Sequence, residues 1–418
     1  MSSISETGKS HVGIFPKGWE VRKVDQFANV RTGPFGSLLH QDDYVHDGTP
    51  IITVEHLGDR GIIHKNLPMV SDNDKQRLSA YLLQKHDIVF SRVGSVDRNA
   101  IVKDDEEGWL FSGRLLRIRV GTNDVYSPYL SYFFSSEPFR NRIRNVAVGQ
   151  TMASLNTQIM KNIEVVLPPF PEQHAIAEVL SDVDALIEAQ EALIEKKRLI
   201  KQGVMQELLT GKRRLPGFGG EWKHEILTDV CTLETGKRPK GGVSEKGDIP
   251  SLGGENIYNE NGLNLENINK VSTEFYNNMN QGILKNNDVL INKDGANTGK
   301  VALYTNSPFK KACINEHLFI MRGNENLDNR FLYNLLCLEE INYEIKKFIT
   351  SSAQPGLNRS FVEKIIVKLP QILEQQAIAK IIMDIEIEID LQKKYKMKIE
   401  SVKQGMMEEL LTGRTRLV

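Results

Sequence analysis

Two hydrophobic patterns alternate along the chain. In the first, short apolar runs (Ile51–Val54, Asp87–Phe90, Leu115–Val120, Glu164–Leu167) are separated by Gly, Asn and Asp turn residues. Such runs predict strands, and a stretch near Tyr129–Val146 with helical spacing follows most of them, so the region reads as an α+β domain. The second pattern begins at Glu172 and runs to Leu209 with no helix breaker except Gly203. Here heptad positions a fall on Ile176, Val183, Gln190, Lys197 and Val204, and positions d on Val179, Leu186, Leu193, Ile200 and Glu207. A second such stretch places Ile378, Ile385, Gln392, Ile399 and Met406 at a, with Ile381, Glu388, Tyr395, Val402 and Glu409 at d. Both predict long helices with a coiled-coil seam. Pro168, Pro169 and Pro171 set the start of the first, and the Thr-Gly pairs 210–211 and 412–413 set the ends. A helix of about 38 residues is ~57 Å long, more than a small domain is wide. Two such rods in one chain pair most simply with each other, antiparallel. Gln190 and Gln392 lie near their midpoints and are expected close together, fixing the register of the seam.

The two patterns recur in the same order. LPPFPEQHAIAEVL from Leu167 matches LPQILEQQAIAKII from Leu369, and KQGVMQELLTGKRRL from Lys201 matches KQGMMEELLTGRTRL from Lys403, both at an offset of 202. Trp19 and Gly33 match Trp222 and Gly236, and the run from His86 matches that from Asn287, with the offset drifting by only one residue. Between these anchors, residues 31–85 and 237–287 have diverged almost completely. The fold class expected is therefore α+β, with two globular domains joined by two long antiparallel helices in a pseudo-twofold repeat. Residues 1–166 and 212–368 form the domains, and 167–211 and 369–418 the helices. The tail after the second helix, Arg414–Val418, is equivalent to 212–216 and is expected to return to the first domain and close the repeat.

Length and composition set limits on function. At roughly 150 residues per domain, 418 residues suggest two to four folded units. With 40% apolar and 26% charged residues the chain reads as soluble and globular. Lys and Arg number 53 against 54 Asp and Glu, a net charge of −1, so a polyanion would have to be met by local basic patches. The N-terminus has no apolar core behind a basic start, and no run approaches the roughly 20 apolar residues that span a bilayer. With only three cysteines and no CxxC spacing, the expectation is a cytoplasmic protein without a disulfide framework.

Candidate chemistry fails on spacing. Gly295-Ala-Asn-Thr-Gly-Lys300 has three residues between its glycines and Val301 after the lysine, where a phosphate loop needs four and a hydroxyl. Leu167-Pro-Pro-Phe170 resembles the motif of amino-methyltransferases, but leucine cannot accept the hydrogen bond of a target amine. The histidines, including His40, His46, His56 and His64, lack metal-pair spacing. No catalytic and no metal-binding residue is assigned, and this chain alone is not expected to be an enzyme.

The duplicated LP…EQxAIA…KQGxMxELLTG blocks, with PKGWEVRKVDQFANVRTG and FGGEWKHEILTDVCTLETG before each domain, resemble the specificity subunit of type I restriction–modification enzymes over nearly the whole chain. The resemblance implies that each divergent domain recognises one half of a split site on double-stranded DNA. It implies also that the helices set the gap and dock two methyltransferase subunits, with restriction subunits joining them in a complete enzyme. S-adenosylmethionine, ATP and Mg²⁺ would belong to those partners, with no cofactor bound here. Adenine-N6 methylation and DNA cleavage would be activities of the complex. Candidate DNA-contacting loops combine glycines, which permit close approach, with polar or basic side chains. In the first domain these are Arg31, Thr32, Gly33, Phe35 and Ser37, then Glu55 and His56, then Arg92, Ser95 and Arg98. In the second they are Lys237, Arg238 and Lys240, then Glu255 and Asn256, then Lys293, Asn297 and Lys300. Arg140, Arg142 and Arg144 read as a solvated or phosphate-facing helix stripe. The alternative is a coiled-coil interaction scaffold without DNA readout, which leaves the divergence of the domains on a retained frame unexplained.

Overall fold

The computed structural model describes residues 8–10, 13–147, 154–239, 247–258, 262–305, 307–350 and 355–417. It divides into two compact units, Met1–Glu191 with Lys394–Val418, and Ala192–Lys393. Each unit thus holds one globular domain and half of each long helix.

The first unit is built on a four-stranded antiparallel sheet of β1 (Ala28–Thr32), β2 (Ile88–Ser91), β3 (Asn99–Ile101) and β4 (Leu115–Val120), in the order β3-β2-β4-β1. All of β2 is buried, which suits its unbroken Ile-Val-Phe run. A smaller sheet centred on Thr49–Ile52 lies beside it and includes a parallel pairing of Ile51 with Leu110. The stretch with helical spacing is two helices, Ser127–Ser135 and Glu137–Val146. Pro138 explains the break, because it cannot continue a helix through its own ring and Ser136 takes an extended conformation before it. Glu164–Leu167 pairs antiparallel with Glu20–Lys23 and leads through Pro168 and Pro169 into α1, Phe170–Leu208.

The second unit repeats this plan. Strands β5 (Cys231–Thr235), β6 (Asp288–Asn292), β7 (Val301–Tyr304) and β8 (Leu318–Gly323) form a sheet in the order β7-β6-β8-β5. Ile249–Leu252 carries the matching parallel pairing, Ser251 with Cys313. Ile366–Leu369 pairs with Lys223–Ile226 before α2, Ile372–Leu410. The shared frame extends to single residues. His86 and Asn287, each just before the central strand, both take positive φ. Buried Asp87 receives a bidentate hydrogen bond from Arg119 at 2.7 and 2.6 Å, and Asp288 one from Arg322 at 2.6 and 2.8 Å.

Each helix is 39 residues long. In both units the halves present run antiparallel, as their ion pairs show. Asp184–Lys403 (2.6 Å) and Glu191–Lys396 (2.7 Å) join them in the first unit. Glu386–Lys201 (3.1 Å) and Glu388–Lys197 (2.5 Å) do so in the second. The buried stripe differs from the expected seam. Ile176, Leu180, Ile187, Gln190 and Ile194 are buried on α1, as are Ile378, Ile382, Ile389 and Ile399 on α2. These are positions a and e, whereas the d residues Leu186, Leu193, Ile200, Tyr395 and Val402 are exposed. Both stripes mix apolar and charged residues at the same period, so periodicity alone does not separate them. Lysines 201, 396 and 403 occupy e positions and pair there with carboxylates, which disguises the true seam as polar. Gln190 is buried and Gln392 half-buried.

The repeated sequence blocks form a clasp in each unit. Glu172, fully buried, takes a bidentate hydrogen bond from Arg416 at 2.5 and 2.7 Å and a third from the Trp19 indole at 3.1 Å. Glu374 is held by Arg214 at 2.6 and 2.7 Å. The neighbouring Gln173 donates to the carbonyls of Pro168 and Asp124 and accepts from Tyr126 N–H. Gln375 does the same with Pro370, Asn326 and Asp328. Leu410 and Leu411 enter the core of the first unit, and Leu208 and Leu209 that of the second. Gly413 and Gly211 end the helices at positive φ against Trp19 and Trp222, where a side chain would be strained. The C-terminal tail therefore returns to the first domain, as the repeat predicts.

Candidate nucleic-acid interface

In the first unit the three candidate loops adjoin one another at the ends of the central strands. After β1 the chain turns at Gly33, where a Cβ would lie 2.2 Å from the Ser112 carbonyl oxygen, so only glycine fits. Phe35 then projects into solvent, 64% exposed, ahead of Gly36 at positive φ, and the backbone of Ser37 lies in the short turn that follows. Arg31 donates to the Ala80 carbonyl at 2.7 Å and stacks on Tyr81, while Thr32 ends the strand half-buried. Arg92 donates to Leu155 and Gly113 carbonyls at 3.2 and 3.3 Å, and Arg98 to that of Leu57. These arginines knit loops together and present only their remaining donors outward. Glu55 and Ser95 are exposed.

His56 has to be withdrawn from the contact set. It is 2% exposed and its Nδ1 accepts from Thr53 N–H at 3.1 Å, closing a turn. Asn256 is its counterpart in the second unit, 4% exposed, accepting from Gly253 N–H at 2.8 Å and donating to Asn264 O at 3.1 Å. Both shape the turn from inside, because an unsatisfied backbone group there would be costly. The expected arginine stripe is also corrected. Arg142 is half-buried against Phe139 and donates to the Glu164 carbonyl, and desolvation lowers its pKa. Arg144 is tied to Asp97 and Glu137, and Arg140 lies near Asp59.

The second unit gathers a different set at the same place. Lys237 and Arg238 are exposed after β5, with Lys237 donating to Asn280 at 2.7 Å and Arg238 3.6 Å from Glu316. Lys240 lies outside the described residues. The loop 293–300 is an ordinary turn, with Gly295 and Gly299 at positive φ and Thr298 donating to Gly295 O at 2.6 Å. Asn297 donates to Ile257 O at 3.1 Å and accepts from Lys300 at 2.6 Å, which pins this loop on the turn that carries Glu255. Lys293 reaches the Glu316 carbonyl at 3.3 Å and sits over Phe319.

Residues that the sequence reading missed complete both surfaces. Arg114 is exposed beside Gly113 in the first unit. His317, one repeat later, bonds Asp294 at 2.6 Å in the second, next to buried Asn292. The repeat offset could have pointed to Arg114 and His317 as a pair, but neither sits in a glycine-rich loop. Among the described residues no group of three or more His, Cys, Asp or Glu could hold a metal ion, and no helix is long and apolar enough to cross a membrane. Burial pushes the Cys231 thiol up to about 12, away from nucleophilic use.

A family model described as the type I restriction modification DNA specificity domain matches the chain twice, over residues 16–196 and 219–401. A Methanocaldococcus jannaschii protein provisionally named type I restriction enzyme MjaX specificity subunit is 28% identical, with 98% of this chain and 96% of that protein covered. The type I restriction enzyme MjaVIII specificity subunit of the same organism is 24% identical, over 96% of this chain and 94% of its own. The type I restriction–modification system S subunit from M. genitalium has a similar fold, with a TM-score of 0.58 at 16% identity, covering 94% of this chain and 96% of that one.

Proposed function

Since the chain belongs to the type I restriction–modification DNA specificity family, we propose that its two units each read one half of an asymmetric, bipartite site on double-stranded DNA. The observation that carries this reading is one frame used twice with different loop contents. Each unit offers a glycine-shaped turn, a hairpin and exposed cations at the same strand ends, yet most of the side chains between them differ. Cations there would hold phosphates, and the polar side chains between them would meet base edges. With a net charge of −1, attraction to DNA has to come from such local sets.

The long helices serve as spacer and platform in this reading. Gln190 and Gln392, at matching positions, would fix their register. The exposed apolar d residues form stripes on the helix surfaces, and two methyltransferase subunits would cover them, since surfaces of this kind mark interaction sites. Adenine-N6 methylation with S-adenosylmethionine, and cleavage with ATP and Mg²⁺ where restriction subunits are present, would be carried out by those partners in the cytoplasm. The decisive test is single-molecule sequencing of native DNA from cells with and without the chain, scoring N6-methyladenine. A two-part motif methylated only in its presence is the expected result. No difference, in cells expressing the partner methyltransferase, would remove the recognition role.

A further inference from the structure

We infer that the cleft between the turn at Gly253–Asn256 and the hairpin 293–300 of the second unit is a readout pocket for a base that donates an exocyclic amino group, adenine or cytosine. The inference rests on reading the second unit as a DNA-recognition domain. The cleft is about 200 Å³ in volume and is lined by Gly254, Glu255, Asn292, Asp294, Asn297 and His317. Its floor is the end of β6, where Asn292 is 1% exposed and its side-chain oxygen has no hydrogen-bond partner among the described residues. A buried acceptor left without a donor is costly, so native structures rarely keep one without a use.

Two glycines make the room. A Cβ on Gly254 would lie 2.6 Å from the Asn292 oxygen. One on Gly253 would lie 2.3 Å from a Glu255 carboxylate oxygen and 2.5 Å from the Asn315 amide. The other Glu255 oxygen accepts from Asn269 at 3.0 Å, and Asp294 is held by His317. The polar lining is thus rich in acceptors fixed in place, with Lys293 and Lys300 on the hairpin and Arg238 on the loop after β5, 3.6 Å from Glu316. The first unit keeps Glu55 in place of Glu255 but differs at the other matching positions. Its matching residues are Thr53, Val54, Ser91 and Val93, and the Ser91 hydroxyl is turned to the Val93 carbonyl at 3.5 Å.

In the major groove adenine N6 and cytosine N4 are donors, whereas guanine O6 and N7 and thymine O4 are acceptors. A lining of acceptors accepts the first pair of bases and sets lone pair against lone pair with the second. A divalent cation fits less well, because no group of three or more metal-ligating side chains converges among the described residues. Lysines around an acceptor floor match the division between phosphate positioning and base reading.

The test uses the full chain co-expressed with its methyltransferase partner in a host free of adenine methylation, followed by sequencing of the methylated motif. Asn292→Leu removes the acceptor at similar volume, and Gly254→Ala displaces it from the other side of the cleft. Each is expected to relax one position of one half-site by about 10-fold, leaving the other half and the gap unchanged. The wild-type motif then shows directly whether that position holds adenine or cytosine. An unchanged motif in both variants would overturn the inference while leaving the recognition role intact. Uniform loss of methylation in both, with the complex still assembled, would also overturn it, since the pocket would then support the fold and not a base. If the wild type itself yields no two-part motif, the recognition role fails instead, and the inference with it.

Discussion

At the residue scale the clearest constraint is the buried carboxylate of Glu172. It is fully buried and held by one charged partner, Arg416 at 2.5 Å, and by the neutral Trp19 indole N–H at 3.1 Å. Removing one partner of a buried pair strands the other charge, at about 3–5 kcal/mol. Arg416→Ala should therefore lower stability by about 3 kcal/mol, visible as a marked fall in Tm. Arg416→Lys should recover only part of this, because a point charge cannot reproduce the two-pronged bond. Equal melting of Arg416→Ala and wild type would show the clasp to be incidental. The Glu-Gln pair was legible as a repeated motif, but its role was not. Nothing local to Glu172 announces a partner 244 residues away.

At the element scale the two helices carry two partly apolar stripes each. The a and e residues face inward, and the d residues Leu193 and Ile200 are exposed. Replacing both d residues by lysine should change stability little, since surface changes usually lie within about 0.5 kcal/mol. It should abolish co-purification with the methyltransferase subunit if that stripe is its dock. A large fall in Tm would instead place these residues in the fold. Helix length offers a second test. Adding four residues to one helix lengthens it by ~6 Å, and the gap in the methylated motif should widen by one or two base pairs. A constant gap would count against the spacer role.

At the scale of the whole molecule, charge is balanced and DNA affinity has to arise from a few sites. Removing one cation that neutralises a phosphate should reduce the slope of log K against log salt by about 0.9. Lys237→Ala and Arg238→Ala, assayed in the assembled complex, should each flatten that slope and weaken binding to all sequences alike. A change in sequence preference with an unaltered slope would assign them to base reading. The two kinds of residue thus separate by experiment, phosphate holders through salt and base readers such as Asn292 through the motif.

The sequence by itself determined the repeat, the α+β class of each domain, the positions and ends of the helices and the return of the C-terminal tail. These follow from periodicity, proline and glycine punctuation and duplicated words, all local signals or direct comparisons along the chain. Only the tertiary structure decided which of two partly apolar stripes is buried, because both have the same period. It also withdrew His56 and Asn256 from the surface, where a glycine-rich turn hides its own capping side chain inside. Asn292 ends a uniformly apolar run and reads as strand core. What makes it a candidate reader is an oxygen left without a donor among the described residues, and that depends on which groups fold around it.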